Sequence, residues 1–430
     1  MNIFRTSFLS FLATLIKTVS QFLIIKVVAV FGGPAGVASF AMIQNYLAIC
    51  QTTSGTALQT GVVRFISTAA DDKDDRGLKI FSSSLQMSII LWIITSVIFY
   101  SFISKNLDEL LSSYEVVYYK EFFILSIPFC VINTLYMSYL NGVRRIKDYI
   151  MVNIGVSLST LLVVISLGYL FKIVGILYAV LLFNIIVFLY LTTFSKRFRK
   201  CLIYSLWNFR IDFISASNLL KFSIITVTTI LVTNISLVMV RNILSNSFSA
   251  ELAGIWQGVW SLSQVALSFL TLSLSTYLLP ALSSAKTDNE IRNELKKAIV
   301  IVLPVSIIGA LLLFVLRDFI VLLLYTEDFL PIGDMLPWQL FGNVVKSVSW
   351  LLGYILVAKA MIKMVVVTEL IMGFSLISLT AIISAYGNEN AAVIAYFVTS
   401  LAHFVMMLFI FIREFSCDKK IRYHHSNPRI

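Results

Sequence analysis

Charged residues are scarce in this sequence of 430 residues. Aspartate, glutamate, lysine and arginine together make up 13% of it, whereas soluble domains carry about 25%. Hydrophobic residues make up 59%, which is more apolar surface than a water-soluble fold of this length could bury. The deficit of charge excludes a soluble domain, and the length fits one large bundle rather than several domains.

Cysteine and histidine are also few, at four and three residues. None of the cysteines has a neighbour at metal-ligand spacing, and no paired framework is visible. A glycine loop followed by lysine, which would hold nucleotide phosphates, is missing, so no ATPase lies within the chain. We therefore predict no metal, no cofactor and no catalytic residues.

Long apolar runs are what the sequence has instead. Each is about 20 residues long, enough to cross roughly 30 Å of hydrocarbon as a helix and twice what a tilted β-strand needs. The sequence predicts an all-α polytopic membrane bundle of about twelve transmembrane helices. The predicted spans are 8–31, 38–63, 79–104, 121–140, 150–171, 173–195, 218–244, 252–279, 297–316, 335–358, 364–386 and 390–412.

Basic residues are unevenly divided between alternate loops. One set of loops carries clusters around Arg64, Arg144, Arg197 and Lys296, while the opposite set carries only isolated lysines and Arg317. Since cytoplasmic loops are enriched in lysine and arginine, we expect both termini to be cytoplasmic. The distribution of basic residues between the loops therefore explains the net charge of +11, and we predict no nucleic-acid partner.

Similar features recur in the two halves of the chain. Spans 2 and 8 are unusually polar and precede charged loops, and Pro128 with Asn133 in span 4 parallels Pro337 with Asn343 in span 10. This pattern predicts a parallel repeat of two six-helix lobes around a central cavity. The predicted division is an N-terminal lobe at 1–200, a cytoplasmic connector at 201–217, a C-terminal lobe at 218–413 and a cytoplasmic tail at 414–430. Residues 202–214 could form an interfacial helix in the connector.

Polar side chains follow single helix faces within several spans. Ser and Thr alone are typical of helix packing, but glutamine and lysine in the same stripes favour a water-filled cavity. The candidate cavity residues from these stripes are Lys17, Gln257, Gln264, Gln339, Asn343 and Lys346.

Cations outnumber acids inside the predicted spans. Lys17 and Lys346 lie near mid-depth, where a charge costs about 2.5–3.5 kcal/mol on insertion scales. Lys26 and Arg241 also lie within spans, where they could snorkel to the interface. The comparable acid is Glu369, which fits either an ion-pair partner or a proton-coupling group. The surplus of cations indicates an anionic ligand.

Several stretches are similar to those of a known transporter family. The most specific are 253–259 (AGIWQGV), 275–280 (STYLLP), 338–342 (WQLFG) and the turn at 31–36 (FGGPAG). On these stretches the chain resembles Wzx-type lipid-linked oligosaccharide flippases, within the multidrug/oligosaccharidyl-lipid/polysaccharide exporter (MOP) superfamily. The pattern is most similar to the flippases of O-antigen units and enterobacterial common antigen.

The resemblance implies a substrate of undecaprenyl pyrophosphate carrying a short sugar unit, moved across the bacterial inner membrane by alternating access. Asn343 and Gln264 stand where relatives carry aspartate, which counts against proton coupling at these positions. The implied partners are the lipid-linked oligosaccharide and membrane lipid, with polymerase and chain-length regulator proteins as candidates. Charged positions of the pattern are matched by Lys17, Lys26, Arg241, Lys346 and Glu369. The resemblance implies that the four cations form a positive cavity lining that binds the pyrophosphate, and that Glu369 serves in coupling or in an ion pair.

Two alternatives stay open at this point. A multidrug exporter of the same superfamily would favour intramembrane acids for its cationic substrates, and the spans offer Glu369 alone. A membrane polysaccharide polymerase or ligase tends to have a large outer loop, whereas the longest predicted here runs only from Arg317 to Asp334.

Overall fold

The structure is a computed structural model that describes residues 3–67, 73–114, 116–208, 213–273, 278–285, 287–359 and 361–415. These residues are mostly helical, because a helix pairs its own backbone groups where lipid offers no partners. The predicted all-α class is confirmed. The helices are α1 (Ile3–Thr53), α2 (Gln59–Ser67), α3 (Lys73–Ile98), α4 (Ser104–Leu111), α5 (Tyr119–Gly142), α6 (Ile146–Phe194), α7 (Lys196–Trp207), α8 (Phe213–Ser247), α9 (Ala250–Ser273), α10 (Leu279–Ser284), α11 (Asp288–Val315), α12 (Arg317–Leu324), α13 (Ile332–Ala358), α14 (Ile362–Ala385) and α15 (Ala391–Phe415).

Nine helices in the described part of the chain are long and apolar enough to cross a membrane. Helix α6 holds two predicted spans, divided at Lys172, and α1 holds the first span and most of the second, divided at Gly33. The polar helix α9 covers the predicted span 252–279 as far as Ser273. The predicted layout of about twelve spans is therefore consistent with the helices observed.

The chain forms two compact units. The first comprises Met1–Arg241 with Leu323–Asp328, and the second comprises Asn242–Leu322 with Phe329–Ile430. This division falls inside α8 rather than in the predicted connector at 201–217, and the predicted lobe boundaries stay a prediction. The tail beyond Phe415 lies outside the described residues.

The breaks in α1 and α6 lie against each other in the first unit. Gly33 has φ 57° and ψ −164°, a conformation that is essentially restricted to glycine. Lys172 divides α6 with φ 53° and ψ −138°. A Cβ atom on Gly32 would lie 2.7 Å from Cδ1 of Ile173, so the two breaks pack closely. The turn predicted at 31–36 and the division predicted at Lys172 are both present.

Predicted span 2 (38–63) is not one helix, which corrects the sequence reading. Gly55 has φ 127°, and a Cβ there would lie 2.2 Å from Oγ of Ser88. A 3₁₀ turn at Thr56–Leu58 follows, and α2 restarts at Gln59. The glycine therefore ends the first helix for both conformational and steric reasons.

The predicted interfacial helix is α7, with different ends from those expected. It begins at Lys196, where Oγ of Ser195 accepts from the amide of Phe198 at 3.2 Å, and it ends at Trp207. This hydroxyl cap fixes the N-terminus of the helix. Phe213 and Ile214 belong to α8 instead, and Phe209 lies outside the described residues.

Helix α5 contains Pro128, which cannot donate to the carbonyl of Ile124 one turn earlier. That carbonyl accepts a hydrogen bond from Nε1 of Trp92 on α3, at 3.1 Å. The indole thus replaces the missing helical donor and joins α3 to α5.

Candidate functional site

A polar cavity of about 570 Å³ lies within the first unit, between α1, α2, α5 and α6. Its walls carry five amide side chains and several hydroxyl groups. Lys17 is the single charged side chain among the described residues that line it, and no described carboxylate does so. The polar lining residues are Lys17, Gln59, Thr60, Asn133, Thr134, Ser138, Asn141, Tyr149, Asn153 and Asn184.

Two of the amides are buried in the cavity wall. Asn133 and Asn184 are 7% and 5% exposed, and Nδ2 of Asn133 donates to the carbonyl of Asn184 at 3.0 Å. Oδ1 of Asn133 and Nδ2 of Asn184 have no partner among the described residues. Since buried polar atoms are normally paired, these two can hydrogen-bond to a polar ligand.

Lys17 projects from the first segment of α1 and is exposed. Its ammonium group can therefore approach a ligand without breaking a contact in the core. A cation beside neutral amides and hydroxyls suits an anion linked to a polyhydroxylated group, because ammonium pairs with phosphate oxygens and amides pair with hydroxyls.

Arg241 was predicted as part of a positive lining, and the structure places it in the core of the first unit instead. It is 1% exposed, so it does not snorkel. Its Nη1 donates to Oδ1 of Asn45 at 2.9 Å, and Nδ2 of Asn45 donates to Oδ1 of Asn234 at 2.6 Å. These amides supply part of the hydrogen bonding of the buried guanidinium.

Lys26 is half-buried on the same helix as Lys17 but does not line the polar cavity. Its Nζ donates to the carbonyl of Tyr325, which belongs to the short segment Leu323–Asp328 of the first unit. Nine residues separate the two lysines, which places them on opposite helix faces.

Gln339 and Asn343 form a buried network in the second unit. Nε2 of Gln339 donates to Oγ of Ser263 at 3.0 Å, which in turn donates to Oδ1 of Asn343 at 2.7 Å. The hydroxyl of Tyr396 donates to the same oxygen at 3.1 Å. Gln339 is fully buried and Asn343 is 6% exposed. In this structure these predicted cavity residues join α9, α13 and α15 to one another.

Lys346 and Glu369 interact through space without forming an ion pair. The ammonium of Lys346 lies 6.0 Å from the ring centroid of Trp350, within electrostatic range of Glu369 and of His403. No contact within ion-pair distance joins Lys346 to Glu369 in the described structure. His403 is buried and bonded to Ser349, as expected for a packed histidine.

The two remaining predicted residues lie on α9. Nε2 of Gln257 donates to Oγ of Ser261 at 3.0 Å, one turn along the same helix. Gln264 is exposed. Neither lines the polar cavity of the first unit.

Sequence reasoning missed most of the amide cavity. Asn133 was noted only as a repeat landmark, and Asn141, Asn153 and Asn184 were not singled out. The available signal was asparagine within apolar runs of α5 and α6, because an amide there requires either a polar partner or water.

The first two thirds of the chain match a known family model. Residues 3–286 match the family described as polysaccharide biosynthesis protein. Over 199 residues the chain is 34% identical to the lipid III flippases of Escherichia coli K12 and Shigella flexneri. The match covers 46% of this chain and 47% of each relative, so the chain spans about half the length of these curated relatives. The resemblance to lipid-linked oligosaccharide flippases is thereby confirmed.

Solved transporters share the fold over nearly the whole chain. A multidrug resistance MATE family transporter of the MOP superfamily, in an inward-facing conformation, matches with a TM-score of 0.78 and 13% identity, over 94% of this chain and 96% of its own. The lipid II flippase MurJ, in an inward closed conformation, matches with a TM-score of 0.71 and 17% identity, over 95% and 87%. This multi-pass membrane chain has a MOP-type transporter fold and belongs to the polysaccharide biosynthesis protein family.

Proposed function

We propose that the chain is a flippase that moves undecaprenyl-pyrophosphate-linked oligosaccharides of the O-antigen or enterobacterial common antigen type. It does so by alternating access, from the cytoplasmic to the periplasmic leaflet of the bacterial inner membrane. The observation that supports this proposal most strongly is the polar cavity of the first unit, in which Lys17 lies among amides and no described carboxylate lines the wall.

Each part of this substrate has a chemical counterpart in the chain. The pyrophosphate is a dense anion that Lys17 can pair with. Sugar hydroxyls both donate and accept hydrogen bonds, as do the amides of Asn133 and Asn184. The isoprenyl tail remains in the lipid while the headgroup crosses. Lys346, a half-buried side chain of the second unit, stays a predicted anion contact.

Export of cationic drugs is the second candidate, since MATE transporters share the fold. A cationic substrate would favour an intramembrane carboxylate. The described lining of the polar cavity supplies a lysine instead, so an anionic substrate is favoured.

Thr60 lines the same cavity and is exposed, which permits a direct test of occupancy. In a Thr60→Cys variant whose native cysteines are serine, a lipid-linked oligosaccharide should slow maleimide labelling. Lys17→Ala should weaken this protection about 10- to 100-fold, because a charged hydrogen bond is lost. Lys17→Arg should retain part of it, and Lys17→Glu should be worse than alanine.

The matched control is Lys105→Ala, which removes an exposed lysine of α4 outside the cavity and should leave protection unchanged. Cells lacking the gene should accumulate undecaprenyl-linked sugars on the cytoplasmic face. Protection by a cationic drug but not by the lipid-linked sugar would overturn the flippase assignment in favour of drug export.

A further inference from the structure

Helix α7 presents one outward face with two chemically distinct halves. At 100° per residue, its exposed residues all fall within about 120° of the helix circumference. The first half of this face carries Lys196, Arg199 and Lys200, and the second half carries Ile203, Leu206 and Trp207. Trp207 is 85% exposed and Leu206 is 77% exposed. Exposed lysine and arginine beside an exposed tryptophan are typical of the interface between membrane and water.

An apolar groove of about 270 Å³ opens beside the second half of this helix, within the first unit. It runs between α3, α5, α6 and α7, and Leu202 and Leu206 form its α7 wall. Trp92 and Pro128 lie on the opposite walls. Nε1 of Trp92 is bonded to the carbonyl of Ile124, and the hydroxyl of Ser88, which also lines the groove, is bonded to the carbonyl of Ser84. The groove therefore suits a hydrocarbon chain.

The basic residues stand at the correct distance for the headgroup of such a chain. Arg199 precedes Leu202 by one turn and Leu206 by two, about 10 Å along the helix axis. Its Nη1 donates to the carbonyls of Thr192 and Thr193, at 3.0 and 2.7 Å. These bonds hold the guanidinium at the C-terminus of α6, one turn beyond the groove residue Phe188.

We infer that α7 and the apolar groove form a binding site for an anionic phospholipid. One acyl chain lies in the groove, and the phosphate and anionic headgroup meet the basic half of α7. Charge complementarity favours an anionic lipid over a zwitterionic one. Both lipids would make the apolar contacts in the groove, but only the anionic headgroup would gain the full attraction of Lys196, Arg199 and Lys200. The site is separate from the polar cavity and does not depend on the proposed transport function.

Trp92 provides the readout, because brominated acyl chains quench tryptophan fluorescence on contact. The protein is reconstituted in phosphatidylcholine vesicles that contain a minor fraction of brominated phosphatidylglycerol or brominated phosphatidylcholine. The Trp92 contribution is the signal of the native chain minus that of Trp92→Phe. Brominated phosphatidylglycerol should quench it more strongly at equal fraction.

Two kinds of variant test the two halves of the site. The double variant Lys196→Gln, Lys200→Gln leaves the bonds from Arg199 to the end of α6 intact. It should reduce the preference for phosphatidylglycerol over phosphatidylcholine by at least about fivefold, since each surface cation contributes about that factor. Arginine at both positions should restore it. Ile132→Phe, which enlarges a groove residue, should reduce quenching by both lipids.

The matched control is Lys363→Gln, an exposed lysine of the second unit, which should not change the preference. Equal quenching by the two lipids would overturn the headgroup assignment. Unchanged quenching in Ile132→Phe would overturn the placement of the acyl chain. The charge variants lie on the surface, so their result stands even if the groove variant fails to fold.

Discussion

Replacement of Trp92 by phenylalanine should destabilise the first unit through the carbonyl of Ile124. Pro128 supplies no helical donor to that carbonyl, and the indole replaces it at 3.1 Å. Ile124 is 7% exposed, so loss of the indole leaves a buried acceptor unpaired. Such an acceptor costs about 1–3 kcal/mol, while side-chain bonds within membranes average about 0.6 and reach about 1.7 kcal/mol. We expect Trp92→Phe to lower the free energy of unfolding by about 1–2 kcal/mol.

A double-mutant cycle with Pro128→Ala separates this bond from lost packing. Alanine restores an amide donor to the Ile124 carbonyl, so Trp92→Phe should cost about 1 kcal/mol less in that background. The packing loss is the same in both backgrounds and cancels. The assay is reversible unfolding in mixed detergent micelles with increasing dodecyl sulfate. Trp338→Phe, in the second unit, is the control and should show no coupling. A coupling energy below about 0.3 kcal/mol would refute the reasoning.

Three further outcomes are expected. Lys172→Gly should raise the free energy of unfolding by about 1 kcal/mol, because glycine adopts this positive φ without strain. An unchanged or lower free energy of unfolding would contradict the strain at Lys172. Asn45→Ala should lower the free energy of unfolding by about 2 kcal/mol, since the buried guanidinium of Arg241 loses a charged hydrogen bond. A change under about 0.5 kcal/mol would argue against a stabilising role for that bond. In a cysteine-free chain, an impermeant maleimide should label Tyr118→Cys in intact cells and Trp207→Cys only after permeabilisation. Both positions are exposed, whereas Cys201 is fully buried and could not report the side of the membrane; the reverse labelling would invert the proposed orientation.

The sequence alone predicted the helical class and the spans because membrane burial imposes a strong and local pattern. Twenty apolar residues form a helix regardless of their neighbours, and the turns around Gly33 and Lys172 are marked by glycine. The interruption at Gly55 was missed because its cause is the close approach of Ser88, which is distant in sequence.

The candidate site was less predictable, since polarity within a span does not say what the side chain faces. Lys17 and Arg241 were both read as cavity cations. One lines a cavity, and the other is buried against Asn45. Gln339 and Asn343 share a helix face, as predicted, yet that face is packed against Ser263 and Tyr396. Which amides bond to protein and which face a cavity depends on partners that only the tertiary structure supplies.

The break in α1 is a single residue, Gly33, so a change in chain length cannot be absorbed by a loop at that point. One residue inserted or deleted there would rotate the following segment by about 100° relative to the preceding one. Asn45 would then turn away from Arg241, and the buried guanidinium would lose its amide. The turn between Leu111 and Tyr119 has several non-helical residues, which can absorb the same change. Length variation among homologous chains should therefore accumulate after α4 and be rare at Gly33.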